Sequence, residues 1–308
     1  MKIIDIQTIV VGNPWKNWVF VKLVTDEGLE GLGEVTDGLS TRPVEAAVHE
    51  LKPLVLGRDP RDIGALWDSM YKGVYLNMSS AMAGIEIACW DVLGKSLGVP
   101  VWQLLGGKMA PRIRAYANGW YQGPRDPVFF AARAVEVVAM GYSALKFDPF
   151  GDAYRFISVA ELRRSLAIVG AVRNAVGESV DLLIEAHDRF SVSTAIEVGR
   201  ALADYRPFWL ETPVMSTEVE ATAEVARAIP VRVVAGERFE RKTDFARLLE
   251  TRVIDVIQPE ILNCGGVMGL FKIAALCGAT KRSLPHTTRR AHSPRSPTYT
   301  SGQPFPTS

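Results

Sequence analysis

Three glutamates, Glu185, Glu211 and Glu237, follow one another at a fixed interval of 26 residues. Each closes a short apolar run, over residues 180–184, 207–210 and 231–236. A run of that kind followed by enough chain for one helix is a single strand-plus-helix unit of a parallel barrel. Three such units in succession aim three carboxylates at the same rim. Three hard oxygen ligands meeting there suit Mg²⁺, which favours carboxylates and keeps positions open for substrate and water. The spacing therefore points to an enzyme.

The same alternation extends on both sides. Strands are expected at 113–117, 143–147, 181–185, 208–211, 231–235 and 253–258, with helices at 126–140, 154–176, 191–205, 219–229, 242–250 and 266–277. Eight such units close a barrel in about 250 residues, so six units over 112–280 predict an unfinished one. Before them, residues 3–11 and 18–25 read as strands, and a turn at 26–28 leads into 31–34. Helical periodicity follows at 43–56, 60–73 and 79–97. The fold class expected is α/β: an α+β capping domain (1–110) followed by an incomplete (β/α)₇β TIM-like barrel (111–280), with residues 106–111 as linker.

Residues 281–308 break this pattern. They contain no Val or Ile, one Leu, ten Ser or Thr, five Pro, and five Lys or Arg without one acidic residue. The abrupt change in mid-repeat is read as a truncated or frame-shifted ending, the alternative being an ordinary disordered tail. Elsewhere, a formal charge of +1 gives no electrostatic reason to expect nucleic acid or a membrane surface. Cys89, Cys264 and Cys277 are scattered, odd in number and without metal spacing, as in a reduced cytoplasmic protein. No export signal or membrane-length apolar stretch is visible. Gly31-x-Gly33 lacks the strand-to-helix setting of a dinucleotide site.

The stretch GIEIACWDVLGK at 84–95, followed by VWQLLGG at 101–107, resembles the signature of the enolase superfamily, mandelate racemase/muconate lactonizing enzyme-like group. The resemblance covers residues 1 to about 280. It implies a capping domain over a modified (β/α)₇β barrel, Mg²⁺ at the strand ends, removal of the proton α to a carboxylate, and a homo-oligomeric assembly. Glu185, Glu211 and Glu237 match the family's metal positions one by one.

The remaining site residues are carried partly by chemistry and partly by that resemblance. His187, two residues past Glu185, shares its face on an extended chain and is suited to protonate a departing β-hydroxyl at neutral pH; acid-sugar dehydratases of the group carry a His there. Lys146 lies at the end of the second barrel strand, where many relatives have Lys-x-Lys. Its role is to stabilise substrate carboxylate or developing negative charge, the alternative being a structural ion pair. Asp148 stands in place of the second lysine, which disfavours a two-base racemase; it is read as substrate-binding or as the opening of a turn before Pro149. Glu260 occupies the position of an Asp that orients a catalytic His in relatives, and His286 is the nearest candidate for that His. Arg238 is placed at the substrate or as a buttress of the rim. Trp15 and Trp18 in the cap are candidates for shaping the distal substrate end.

These residues together predict a Mg²⁺-dependent acid-sugar (aldonate-type) dehydratase acting on a small-molecule carboxylate. The alternatives are a racemase, epimerase or cycloisomerase on the same scaffold, or a truncated, catalytically silent fragment.

Overall fold

A computed structural model describes residues 1–12, 16–73, 78–108 and 110–280 of the chain. The chain divides into two compact units near residue 111. Two later segments, 238–243 and 259–276, group with the first unit although they flank residues 244–258 of the second in sequence.

In the first unit, β1 (Ile3–Val11), β2 (Trp18–Thr25) and β3 (Glu30–Glu34) form an antiparallel meander in that order. Alternation does the work in β2: Val19, Val21 and Leu23 point into the core while their neighbours are half-buried. Helices α1 (Thr41–Val55), α2 (Ile63–Gly73), α3 (Ser79–Leu97) and the short α4 (Val101–Leu104) follow. Helix α3 is buried over most of its surface, which suits its run of small and apolar residues. It ends at Gly98, whose left-handed φ of 68° lets its N–H cap the last turn.

The signature residues of α3 hold this unit together. Gly33 lies so close to the helix that a Cβ there would stand 2.0 Å from the Gly84 carbonyl oxygen. Asp91 accepts from the Leu32 N–H at 2.8 Å, and Lys95 donates to the Glu30 carbonyl at 2.8 Å. Glu86, 1% exposed, accepts from the Val267 and Met268 N–H groups, each at 2.9 Å, and from Trp90 Nε1 at 2.8 Å. Those two amides open α10 (Gly266–Thr280), so a carboxylate from early in the chain caps a late helix. That cap is why residues 259–276 belong to this unit. Trp67 Nε1 adds a bond to the Gly265 carbonyl at 3.1 Å.

The second unit contains α5 (Pro127–Ala139), β4 (Ala144–Phe147), α6 (Val159–Val176), β5 (Asp181–Glu185), α7 (Val192–Leu202), β6 (Trp209–Glu211), α8 (Val219–Ala228), β7 (Val233–Ala235), α9 (Lys242–Glu250) and β8 (Val256–Ile257). The five strands are parallel and pair in sequence order, β4-β5-β6-β7-β8. Helix starts follow local chemistry. Asp126 accepts from the Val128 and Phe129 N–H groups with Pro127 at the first helical position, and Ser158 and Ser191 cap α6 and α7.

Three expected elements differ, the first being the strand expected at 253–258, which is reduced to Val256–Ile257. The strand expected at 113–117 contracts to one parallel bridge, Ala117 to Leu145, with bonds from the Ala117 N–H to Ala144 and from the Lys146 N–H to Ala117. The helix expected from 154 begins at Val159, because residues 154–156 instead bridge to each other and to Phe190. Among the described residues, no helix is long and apolar enough to cross a membrane. The residues from 281 onward, with His286, and Trp15 lie outside the described ones.

Candidate metal centre and its surroundings

Strand register delivers the carboxylates. Glu185 and Glu211 end β5 and β6 and are direct partners across the two strands. Equal spacing in sequence does not carry the third into the same register, because Glu211 lies abreast of Val234, three residues before Glu237. Neighbouring strands of a barrel are staggered, and Glu237 stands beyond the end of β7, after Gly236 at φ 119°. The glycine conformation turns the chain where a Cβ would meet the Phe245 ring at 2.8 Å. Ligand atoms of the three glutamates nonetheless lie within 4.8 Å of one another.

Lys146 is paired with Leu183, so its side chain runs forward by two residues to reach the carboxylates. Its ammonium contacts Glu185 Oε2 at 2.7 Å and bonds Glu211 Oε1. The other oxygens are taken by neutral donors. Glu185 Oε1 accepts from the His187 N–H and from Thr212 Oγ1, both at 2.8 Å. Glu211 Oε2 accepts from Trp209 Nε1 at 3.1 Å and Gln258 Nε2 at 3.2 Å. Tyr116 packs edge-on against Trp209 and lies 5.9 Å from the Lys146 ammonium.

Glu185 and Glu211 are each 1% exposed. Burial, and then the Glu185 charge, push the Glu211 carboxyl up to about 8, with Lys146 acting the other way. Burial also works to raise Glu185, but Lys146 and then His187 outweigh it and hold it at about 2. The Lys146 ammonium is kept well above its ordinary range: burial opposes the charge, and Glu211 and Glu185 overcome it. One ammonium thus does not neutralise the cluster.

A divalent cation fits this donor set. Opposed oxygens around Mg²⁺ stand about 4.2 Å apart at a metal–oxygen distance of about 2.1 Å, a little inside the 4.8 Å limit on the glutamate ligand atoms. The Lys146 ammonium already takes the place of positive charge between two of the three.

Beside the glutamates, His187 does not continue the strand. Its φ is 49° and that of Asp188 is 60°, so the extended geometry that would put it on the face of Glu185 is absent. The two residues stay adjacent through the His187 N–H bond instead. The ring Nδ1 lies 2.7 Å from Asp148 Oδ2, which also accepts from Arg189 Nη2. Asp148 Oδ1 accepts from the Phe150 N–H at 2.9 Å, which is the turn expected before Pro149. Burial acts to lower the His187 imidazolium, but the Asp148 bond and the Glu185 charge reverse this, and its pKa is raised.

Glu260, Arg238 and Trp18 belong to the first unit. Glu260 opens a turn, its carbonyl accepting from the Asn263 and Cys264 N–H groups. Trp18 begins β2 with Lys16 over its ring at 5.6 Å. Thr212, Gln258, Trp209 and Arg189 were not singled out by spacing. Their polar atoms are committed to the carboxylates only once the strands are in register.

Comparison with known proteins agrees with this geometry. Residues 6–106 match the mandelate racemase/muconate lactonizing enzyme N-terminal domain, and residues 130–293 match the enolase C-terminal domain-like family. The chain belongs to the mandelate racemase/muconate lactonizing enzyme group of the enolase superfamily. It is 41% identical over 271 residues to a D-gluconate dehydratase of Thermoproteus tenax, a match covering 86% of this chain and 54% of that protein. It is 37% identical over 270 residues to a D-gluconate/D-galactonate dehydratase of Picrophilus torridus, covering 86% and 69% respectively. The chain thus spans about half the length of the first relative and about two-thirds of the second. Among solved structures it is similar to a mandelate racemase/muconate lactonizing enzyme-like protein from Roseovarius sp. TM1035, with a TM-score of 0.85, 35% identity and coverage of 92% and 78%.

Proposed function

We propose that this chain carries the machinery of a Mg²⁺-dependent acid-sugar dehydratase, which removes the α-proton of an aldonate and then eliminates the β-hydroxyl as water. The observation that supports it most is the buried carboxylate cluster of Glu185, Glu211 and Glu237, short of positive charge even with Lys146 between two of its members. Relatives named for D-gluconate and D-galactonate dehydration support the substrate class.

Glu185, Glu211 and Glu237 would hold Mg²⁺, which would supply the positive charge that makes a proton next to a carboxylate acidic enough to remove. Lys146 adds a second positive charge beside the developing negative one. The α-proton goes to a base that the family resemblance assigns to His286, oriented by Glu260. His187 gives a proton to the departing β-hydroxyl. Loss of the α-proton and of that hydroxyl amounts to one water, and the enol left behind tautomerises to a 2-keto-3-deoxy acid. Asp148 carries a carboxylate in place of an amine at the second-lysine position, and both its oxygens are already engaged by protein groups. Elimination is therefore favoured over racemisation. Arg238, Trp15 and Trp18 are assigned to the distal end of the substrate. A homo-oligomeric, cytoplasmic enzyme completes the reading.

The test is incubation of the purified chain with a panel of aldonates, with Mg²⁺ and with chelator, measuring 2-keto-3-deoxy acid and exchange of the α-proton with solvent deuterium. Mg²⁺-dependent keto acid supports the proposal. Exchange without water loss would transfer the assignment to a racemase or epimerase. A folded chain that neither binds Mg²⁺ nor exchanges the proton would leave a silent fragment.

A further inference from the structure

The grouping of Arg189, Asp148 and His187 has no counterpart in the glutamate spacing. Arg189 is pinned at three points. Its Nε donates to the Ala186 carbonyl at 2.8 Å, Nη1 to the Gly151 carbonyl at 2.5 Å, and Nη2 to Asp148 Oδ2. The planar guanidinium turns two fixed carbonyls into a fixed direction for the third bond. Asp148 is held from its other side by the Phe150 N–H on Oδ1. Every oxygen of this carboxylate therefore acts as an acceptor. An amide cannot replace it, because one of its two ends would turn N–H groups toward either Phe150 N–H or the His187/Arg189 donors.

The carboxylate settles which imidazole nitrogen carries the proton. Nδ1 lies 2.7 Å from Asp148 Oδ2. A lone pair on Nδ1 at that distance from a carboxylate oxygen is repulsive, whereas an N–H makes a charge-assisted bond. The proton of the neutral ring thus sits on Nδ1, leaving Nε2 as the working nitrogen. Nε2 has no hydrogen-bond partner among the described residues, and the side chain is 52% exposed.

We propose that Asp148 and Arg189 are positioning residues that fix His187 in the Nδ1–H tautomer and present Nε2 as its proton-transfer atom. The use made of Nε2 rests on the dehydratase reading, but the tautomer itself does not. Asp148, read from sequence as substrate-binding or turn-forming, becomes the orienter of the acid through Oδ2 while Oδ1 forms the turn. Arg189 aims the carboxylate; its Nη2 also lies 3.4 Å from His187 Nδ1, a long contact against the 2.7 Å approach of Asp148 Oδ2.

The tautomer is read by side-chain ¹⁵N NMR on the full chain labelled at histidine, above the titration of the ring. The chain has four histidines, and a His187→Gln sample assigns the signal. Wild type is expected to show Nδ1 protonated and Nε2 bare. Asp148→Ser keeps a short hydroxyl for the Phe150 N–H but cannot reach the ring. Loss of one charge-assisted bond should shift the tautomer ratio toward Nε2–H by about tenfold or more. Arg189→Lys keeps the charge without the fork and should give a mixture. If Asp148→Ser does not fold, Asp148→Ala, which also offers the ring no acceptor, carries the same expectation. An Nε2–H wild type, or a folded Asp148 variant that retains Nδ1–H, overturns the proposal. Neither metal nor substrate is needed, so an inactive chain with an Nδ1–H His187 refutes the dehydratase reading and leaves this one standing.

Discussion

Replacing Lys146 by methionine tests the charge balance of the centre most directly. Lys146 is 6% exposed, and its ammonium contacts the carboxylates of two glutamates that are each 1% exposed. Methionine keeps much of the volume but leaves the carboxylates without a counter-charge. Removing one partner of a buried ion pair costs about 3–5 kcal/mol. At roughly 2–4 °C per kcal/mol for a chain of this size, the metal-free variant should melt on the order of 10 °C below wild type. Mg²⁺ at a hundredfold excess over its dissociation constant contributes about 2.7 kcal/mol, so it should recover half or more of the deficit. The Mg²⁺-induced shift should also exceed that of wild type, in which the ammonium already occupies the same oxygens. Melting followed by circular dichroism, with and without Mg²⁺, measures all four states. Lys22→Met provides the control: its partner Glu30 is 52% exposed, and such a surface pair contributes below about 1 kcal/mol. A metal-free Lys146→Met that melts with wild type would refute the reasoning, since the ammonium would then not be compensating buried charge.

Mg²⁺ binding should release a proton near neutral pH, because burial and the Glu185 charge push the Glu211 carboxyl upward; calorimetry in buffers of different ionisation enthalpy is expected to show a proton release that falls as pH rises past about 8. For the same group the folded pKa is above its ordinary 4.5, so its stabilising contribution is full below 4.5 and lost as pH rises through about 8. Glu185, held at about 2, has the opposite sign and loses its contribution only as pH falls through about 2; the metal-free melting temperature should therefore decline between about pH 4.5 and 8, and saturating Mg²⁺ should flatten the decline. Glu86→Gln removes one of the two acceptor oxygens under the start of α10 and should cost about 2 kcal/mol, a fall of roughly 4–8 °C in Tm measured by calorimetry. Gly33→Ala drives a methyl to 2.0 Å from the Gly84 carbonyl oxygen, backbone that cannot step aside; a cost of about 3 kcal/mol or more is expected, read as a depressed Tm or loss of soluble protein.

The strands carrying the glutamates were legible because a buried parallel strand writes itself as a short apolar run. Residues 181–185 and 242–250 keep their sequence-derived bounds, as do β1 and β2. The strand at 113–117 had the right composition, but its residues outside Ala117 find no ladder partner among the described residues. The convergence of the glutamates was legible too, though not the reason for it. Equal spacing suggests equal register, whereas Glu237 reaches the centre through Gly236 from beyond β7. Asp148 illustrates the limit in the other direction. Its turn with Phe150 is local and readable from sequence, while its bonds to His187 and Arg189 cross 39 and 41 residues and need β4 and β5 in place. The signature of α3 was recognised as a motif, and its physical meaning came only from three dimensions. Gly84, Glu86, Asp91 and Lys95 act on β3 or α10, and Trp90 braces Glu86.

The backbone at the strand ends explains how the centre offers its charge. Among the described residues, His187, Asp188 and Thr212 are non-glycine positions with φ of 49°, 60° and 42°, each costing on the order of 1–3 kcal/mol. A β-branched threonine there is especially unfavourable. Each strained residue is held by specific bonds: the Asp188 N–H donates to the Thr212 carbonyl, and the Thr212 N–H to Val234, both at 2.8 Å. The effect falls on Glu185 Oε1, which takes both the His187 N–H and the Thr212 hydroxyl. Trp209 and Gln258 do the same for Glu211 Oε2 without comparable strain. Each buried carboxylate therefore has one oxygen pinned by neutral donors and one left for a cation. Neutral donors orient a carboxylate without cancelling its charge, so the attraction for positive charge is concentrated on Glu185 Oε2 and Glu211 Oε1. Lys146 occupies both. A cation held by Glu185, Glu211 and Glu237 would supply there the positive charge that these two oxygens leave unmet.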